Sequence, residues 1–341
     1  MNNPIILLMN DLHINKDNTQ EYIKNWQEAL SVCKQYSISR IIIGGDIFTT
    51  RGVQHLYPMQ VVADCFKAAV KQNIEVFVAF GNHDLPVYGE TESWIDMYES
   101  QIHIVKDWEY FKLSSSTTLA VCPYFPEDTI MPEKLKGIDA FCDVNNIPYS
   151  NIVLYLHAGV HGALGNLDVP NEIPTEMLTK YGKVLCSHYH NRTIIPGTKI
   201  EYIGSSRAHN FGEDEEKGYT LLYDDGSTKF IKNEVNTRYV TDDVDLDSLS
   251  AWKSNYDHRY KVRLRIHCAS SDVDTIDREH LLELGAHKIE FVTEKIETIA
   301  VEQSNLEEKF DNKNLQVEYK SFCKEKDIDS RLGIDYLTKS K

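Results

Sequence analysis

The chain predicts an α/β fold, with helices packed on both faces of a sheet, continued by a hairpin-rich second half. Three features of the sequence carry this expectation. Between residues 5 and 80, short β-branched runs alternate with helical patterns; from residue 118 on, strand-like runs follow one another across short turns; and polar side chains able to do chemistry cluster just past the ends of those runs. The alternation is the βαβ signature of a covered sheet.

Taken in order, residues 5–9, 40–43 and 75–80 are apolar runs of strand length, and residues 20–35 and 59–72 between them carry helical spacing. Residues 118–121, 152–156, 183–186, 193–195, 200–203, 219–223 and 229–231 read as further strands. Asp224-Asp225-Gly226-Ser227 between two of them is a hairpin-type turn. Residues 233–247 are polar and acid-rich and read as a boundary. Beyond it, 260–266 alternate apolar and basic residues like a strand with one wet face, 274–284 look helical, and 288–292 return as a strand. From Val301 onward, Leu306, Phe310, Leu315, Tyr319 and Phe322 recur at spacings of three to five, which predicts an amphipathic helical tail. The expected organisation is a catalytic domain over 1–235, a small module over 236–300 and a tail over 301–341.

Composition narrows the function. With 341 residues the chain exceeds the roughly 100–200 of one domain. Its 52 Asp and Glu against 36 Lys and Arg give a formal charge of −16, which argues against a surface that wraps nucleic acid or docks on anionic lipid. No apolar run approaches the roughly 18 residues of a membrane span, and the opening stretch is short with no basic residue before it, so a cytoplasmic, membrane-free protein is expected. The seven cysteines are scattered with no C-x-x-C pair, which fits a reducing compartment and no disulfide or zinc framework.

The chemistry sits at the carboxyl ends of strands, where α/β sheets place their sites. Asp11 and His13 follow the first run, Asp46 follows the second after Gly44-Gly45, and Asn82, His83 and Asp84 follow the third after Gly81. His157 ends 152–156, and His188 and His190 end 183–186. Imidazole and carboxylate donors together suit divalent manganese, magnesium, iron or zinc. Two such cations lower the pKa of a shared water and clamp a phosphate ester, with a carboxylate bridging them. Any one of these residues alone is more often structural; the joint pattern reverses that reading.

D-L-H at 11–13, G-G-D at 44–46, G-N-H-D at 81–84, His157 and H-x-H at 188–190 resemble the calcineurin-like metallophosphoesterase superfamily over about 180 residues. The resemblance implies a metallophosphoesterase β-sandwich flanked by helices, with a small α+β capping domain and a helical C-terminal tail. It further implies that Asp11, His13 and His190 hold one metal and Asn82, His157 and His188 a second, with Asp46 bridging. His83 would act as the acid on the leaving group or steady the transition state, oriented by Asp84. The two ions would be divalent, manganese first. E-Y-I-G-S-S-R-A-H-N-F-G-E at 201–213, E-K-G-Y at 216–219 and G-D-I-F-T-T-R at 45–51 are similar to SbcD-type nuclease subunits, which implies DNA as substrate, an SbcC-like coiled-coil ABC ATPase as partner through the tail, and a homodimer. Thr49 departs from that group, where His or Asp is usual at a position tied to handling DNA ends; Ser187 and Ser206 stand for a usual Gly and Pro.

Among the remaining histidines, His55, His103, His258, His267, His280 and His287 read as structural, with His161 and His209 near enough to line a cleft. Arg51 and Arg207 offer forks for phosphate or partners for the many carboxylates. Lys261, Arg263 and Arg265 form either a basic strip for DNA or a solvated strand face. Three functions compete: a two-metal DNA exonuclease and endonuclease within an SbcC/SbcD-like complex, a stand-alone metallophosphatase or small-molecule phosphodiesterase, and a silent scaffold. The complete ligand pattern disfavours the last.

Overall fold

A computed structural model describes residues 3–87, 92–165, 167, 169–293, 319, 320, 323 and 330. Its strands and helices run β1 Pro4–Met9, α1 Thr19–Tyr36, β2 Arg40–Ile43, α2 Leu56–Lys71, β3 Glu75–Ala79, β4 His103–Val105, β5 Glu109–Lys112, β6 Thr118–Cys122, α3 Ile130–Val144, β7 Ile152–His157, β8 Lys183–Ser187, β9 Thr193–Ile194, β10 Ile200–Tyr202, β11 Gly218–Tyr223 and β12 Thr228–Lys232. After these come β13 Arg238–Asp245, α4 Leu246–Leu249, β14 Tyr260–Cys268, α5 Arg278–Glu283 and β15 Ala286–Thr293.

Two six-stranded mixed sheets, ordered β12-β11-β1-β2-β3-β4 and β5-β6-β7-β8-β10-β9, lie face to face with helices outside. The layering follows from period two in the strands. In β1, Ile6 and Leu8 enter the core between the sheets with Tyr155, Leu185 and Leu222, while Leu7 and Met9 turn outward to Tyr22, Trp26 and Phe66 of α1 and α2. On the other outer face α3 packs Leu135, Ile138 and Cys142 against Leu154, Leu156 and Cys186. Strands buried on both faces must read as continuous apolar runs, and these do. Each fully buried Leu or Ile contributes about 1.5–3 kcal/mol through removal from water, so the central strands hold the frame on which the connecting loops are strung.

A third sheet of three parallel strands, β13-β14-β15, has a core of its own around Leu264, Ile266, Leu281 and Ala286. Val262, Leu264 and Ile266 fill the inner face of β14, and Lys261, Arg263 and Arg265 alternate with them on the other side.

Several elements differ from the sequence expectation. Residues 233–247, read as a polar boundary, contain β13, an edge strand whose Asp243 meets Arg265 of β14 and whose Asp242 accepts from Trp252 Nε1 at 3.0 Å. The helix expected over 274–284 is a turn at Val273–Thr275 followed by α5, started by the Asp277 side chain accepting from the His280 N–H at 3.0 Å. α3, β4 and β5 were not anticipated. The tail expected over 301–341 lies outside the described residues except at 319, 320, 323 and 330. No helix among the described residues is long and apolar enough to cross a membrane.

Candidate active site

All nine strand-end residues singled out from the sequence converge where the carboxyl ends of β1, β2 and β3 in one sheet meet those of β7 and β8 in the other. The backbone there is unusual. Asp11, His13, Asp46 and His188 have φ of 51°, 46°, 53° and 94°, a region that costs a non-glycine residue roughly 1–3 kcal/mol and persists only where the surroundings enforce it. Enforcement comes from a zipper of loops: Asp11 N–H donates to the Gly45 carbonyl at 3.0 Å, and the Leu12 and His13 N–H groups to the Asp46 carbonyl at 2.8 and 3.0 Å. Gly45, at φ 101°, has no room for a side chain, since a Cβ would stand 2.6 Å from both the Gly81 nitrogen and His157 Nδ1. That close approach brings the β2 and β7 ends together.

The side chains form two groups joined by one carboxylate. In the first, His13 Nε2 and His190 Nε2 are 3.1 Å apart, beside the buried Asp11. In the second, Asn82 Oδ1 lies 3.0 Å from His157 Nε2 and 3.2 Å from His188 Nδ1. Asp46 Oδ2 stands between them, 3.6 Å from His13 Nε2 and 3.6 Å from His157 Nε2. Ligating atoms of Asp11, His13 and Asp46 lie within 4.8 Å of one another, as do those of Asp46, His157 and His188.

Tautomers decide what these groups can bind. His13 Nδ1 meets the Phe48 carbonyl at 3.2 Å, His157 Nδ1 the Gly44 carbonyl at 2.8 Å and His190 Nδ1 the Glu213 carboxylate at 2.8 Å. Those oxygens only accept, so each Nδ1 carries the hydrogen and each Nε2 offers a lone pair inward. In the neutral rings the lone pairs of His13 and His190 face each other, where either a cation or a proton on His190 separates them, and that of His157 faces the Asn82 oxygen. Acceptors at 3 Å repel unless a positive charge lies between them, so the donor set fits divalent cations and is poorly satisfied by protein alone.

Charge follows the same logic. Burial holds His13 and His157 well below the ordinary imidazole range and His188 at about 4, so all three are neutral and ready to ligate at pH 7. His190 is the exception. Burial pulls it down, but its hydrogen bond to Glu213 and the charges of Asp11 and Glu213 outweigh that, and it stands above its ordinary value. Burial, and then the charges of Asp11 and Asp84, push Asp46 well above the usual carboxylate range, and burial raises Asp11 as well. Cations would relieve this accumulation of buried negative charge.

One expected role is corrected and one open choice is decided. Asp84 does not orient His83: its carboxylate accepts the backbone N–H groups of Ile47, Phe48 and Gly81 at 2.9, 3.1 and 2.9 Å, bolting the β2 loop to the β3 loop. The Thr49 carbonyl takes the orienting role, receiving the His83 Nδ1 hydrogen at 2.7 Å and leaving Nε2 toward the cleft. Of the two roles open to Arg207, a fork for phosphate or the partner of a carboxylate, the structure shows the second, at the wall of the cleft. Arg207 is buried, with Nε on the Leu12 carbonyl at 2.7 Å, Nη2 on the His13 carbonyl at 2.9 Å and Nη1 on Glu21 at 3.2 Å. Arg51 is half-buried, and its charge bears on His83, Asp46 and His188.

Other residues join the site from far along the chain. His209, its Nε2 donating to the Asp11 carbonyl at 2.8 Å, has a ligating atom within 4.8 Å of those of His13 and His190. Glu213 is held ionised against burial by His190 and by the buried Lys217. Sequence reading noted His209 as a cleft candidate and gave Glu213, Glu21 and Lys217 no role; nothing in local spacing marks contacts across 186 or 198 positions. His161 is exposed and off the cleft, and Cys186 points into the α3-side core, away from the ligands.

Two hollows border the site. A cleft of about 460 Å³ is lined by His13, Asp46, Thr49, His83, Tyr239 and Lys261. His188 and His190 belong both to its wall and to that of a second hollow of about 600 Å³ bordered by Leu164, Arg192 and Asn210. Of the basic face of β14, Arg263 and Arg265 are taken up by Glu290 and Asp243, and Lys261 reaches the cleft, stacked 5.4 Å over the Tyr239 ring.

Comparison with known proteins gives one family result. The family model described as calcineurin-like phosphoesterase matches residues 5–276. No curated protein matches the chain. Seventy-six chains of solved structures match, among them the nuclease MPE of Pseudomonas putida, at 14% identity and a TM-score of 0.31, covering 64% of this chain and 84% of that one.

Proposed function

Since the chain belongs to the calcineurin-like phosphoesterase family, whose chemistry is metal-dependent hydrolysis of phosphoesters, we propose that it is a two-metal phosphodiesterase acting on DNA, an exonuclease and endonuclease. The observation that carries the two-metal reading is the position of Asp46 Oδ2, 3.6 Å from an Nε2 of each donor group. Asp11, His13 and His190 would hold one divalent cation and Asn82, His157 and His188 the other, manganese being well suited to this donor set. When bound, the pair would make water nucleophilic at neutral pH and draw in phosphate despite the acidic surface.

The chain's own residues supply the rest. His83, fixed by Thr49, turns Nε2 to the cleft; burial lowers its pKa, so it is neutral until an entering phosphate favours its protonated form, and it then gives that proton to the leaving oxygen. Arg51 adds positive charge beside it. A polymer rather than a small ester is supported by the two hollows that share His188 and His190 in their walls, which offer surface to more than one phosphate. The likeness of residues 201–219 and 45–51 to SbcD-type subunits supports the same reading, and with it an SbcC-like ATPase partner. The exposed carboxylates at the edges of the hollows, Asp17 beside one and Asp214 beside the other, favour the competing small-ester reading.

The test is hydrolysis by the manganese-loaded protein of end-labelled duplex DNA, single-stranded DNA, a chromogenic diester and a chromogenic monoester side by side, with His83→Ala as control. Release of nucleotides from DNA is the expected result; turnover of the monoester alone would replace the nuclease with a phosphatase. The partner is tested by capture of the ATPase with the full chain and with the chain ending at residue 300, and equal capture would remove the tail from the interface.

A further inference from the structure

Residues 205–217, between β10 and β11, touch the first donor group at every member. Arg207 holds the Leu12 and His13 carbonyls at 2.7 and 2.9 Å, His209 the Asp11 carbonyl at 2.8 Å, and Glu213 the His190 Nδ1 hydrogen at 2.8 Å. Asn10, just before Asp11, is tied in both directions to Ser206, its N–H on Oγ at 3.1 Å and its carbonyl on the Ser206 N–H at 3.0 Å. Among the described residues no hydrogen bond from this segment reaches Asn82, His157 or His188; their partners are Gly44, Ser187, Asp11 and each other.

The outer side of the same segment is gripped by the small sheet. The Phe211 ring meets Tyr239 of β13 edge-on at 5.0 Å, the Arg263 guanidinium of β14 stacks over that ring at 5.2 Å, and Arg263 Nη2 donates to the Phe211 carbonyl at 3.4 Å. A second grip runs through the chain's entry into β13. Glu21 divides its carboxylate, one oxygen on Arg207 Nη1 at 3.2 Å and the other on the Thr237 N–H at 2.7 Å. Asn236 adds its Nδ2 on the Glu21 carbonyl at 3.0 Å.

We propose that Phe211 and Arg263 are positioning residues for one metal above the other: by holding residues 205–217, the small sheet sets the geometry of Asp11, His13 and His190 and reaches the Asn82, His157 and His188 group only through Asp11, whose carboxylate accepts the His188 N–H at 3.3 Å. This rests on the two-cation reading above. It makes the small sheet a lever chiefly on the affinity of one cation, so a partner or strand that shifts the sheet alters the occupancy of the first position.

The experiment is a manganese titration of the full chain, followed by the paramagnetic signal of free ion, for wild type, Phe211→Ala, Phe211→Tyr and Arg263→Ala, with unfolding in chelator to confirm that each is folded. One of two dissociation constants rises roughly tenfold in Phe211→Ala and Arg263→Ala, the scale of losing a partner that orients a ligand, while the other stays within about twofold and Phe211→Tyr restores both. In a His188→Ala background, which spoils the second position, Phe211→Ala still weakens the remaining ion; in a His190→Ala background it does not. Equal weakening of both ions, or none, overturns the inference while leaving the two-cation reading intact. Wild type binding fewer than two ions overturns both.

Discussion

Arg207→Met is the substitution whose cost follows most directly from the geometry, and it separates a structural arginine from a phosphate-binding one. Methionine keeps much of the bulk and removes three donors. The Leu12 carbonyl has no other hydrogen-bond donor among the described residues, and a buried acceptor stripped of its partner costs about 1–3 kcal/mol. The His13 carbonyl suffers less, because Asn18 Nδ2 at 2.9 Å and Thr49 Oγ1 at 2.6 Å also serve it. Glu21, its side chain 17% exposed, keeps Thr237 but loses its counter-charge. Against these losses stands the burial penalty of the guanidinium itself, which shows in its lowered pKa. The balance is about 3–5 kcal/mol, the usual scale for removing one partner of a buried pair. At roughly 2–4 °C per kcal/mol the midpoint falls by about 10 °C. Thermal and urea unfolding in chelator measure it, and the KM for a small chromogenic diester, assayed at saturating manganese well below the midpoint, is expected to stay put. A midpoint within about 2 °C of wild type together with a raised KM would refute this account and return Arg207 to the substrate.

Three further outcomes are expected. His83→Ala lowers kcat by about 10²–10⁴ while both cations still bind, because its ring is fixed by Thr49 and ligates nothing; the check is turnover alongside the manganese titration. Asp46→Asn loses cation binding, yet in chelator it is no less stable than wild type, since burial and the charges of Asp11 and Asp84 already disfavour its ionised form; unfolding with and without manganese reads both. In His188 the folded pKa of about 4 lies below the unfolded 6.5, so its contribution is fully present above pH 6.5 and is lost as pH falls toward 4. The stability gap between wild type and His188→Asn in chelator therefore narrows by about 3 kcal/mol from pH 7 to pH 4, and a gap that stays constant would contradict the burial argument.

Much of the candidate site was legible because its candidate ligands obey a positional rule. A strand buried on both faces writes a plain apolar run, and the first polar residues past its end are the ones an α/β fold exposes, so Asp11, Asp46, Asn82 and His157 could be located by counting from 5–9, 40–43, 75–80 and 152–156. What failed had no local signature. Thr49 orients His83 through its backbone carbonyl, which every residue possesses. Sequence leaves Arg207 between phosphate and a carboxylate, because it shows the charge and not the carbonyls of Leu12 and His13 nearly two hundred positions away. α3 carries Pro132 in its first turn and Gly137 mid-helix, where a Cβ would come within 3.0 Å of Trp108 Nε1; both residues read locally as breaks. β13 is an acidic edge strand completed by pairing with β14, and the acid-rich stretch alone reads as a linker.

The central claim is that two cations share Asp46, and anomalous diffraction from crystals grown with manganese tests it most directly. The account predicts two peaks about 3.5–4 Å apart, one among Asp11, His13 and His190 and one among Asn82, His157 and His188, with the Asp46 carboxylate reaching both. A single peak, or two peaks of which Asp46 touches only one, would contradict it.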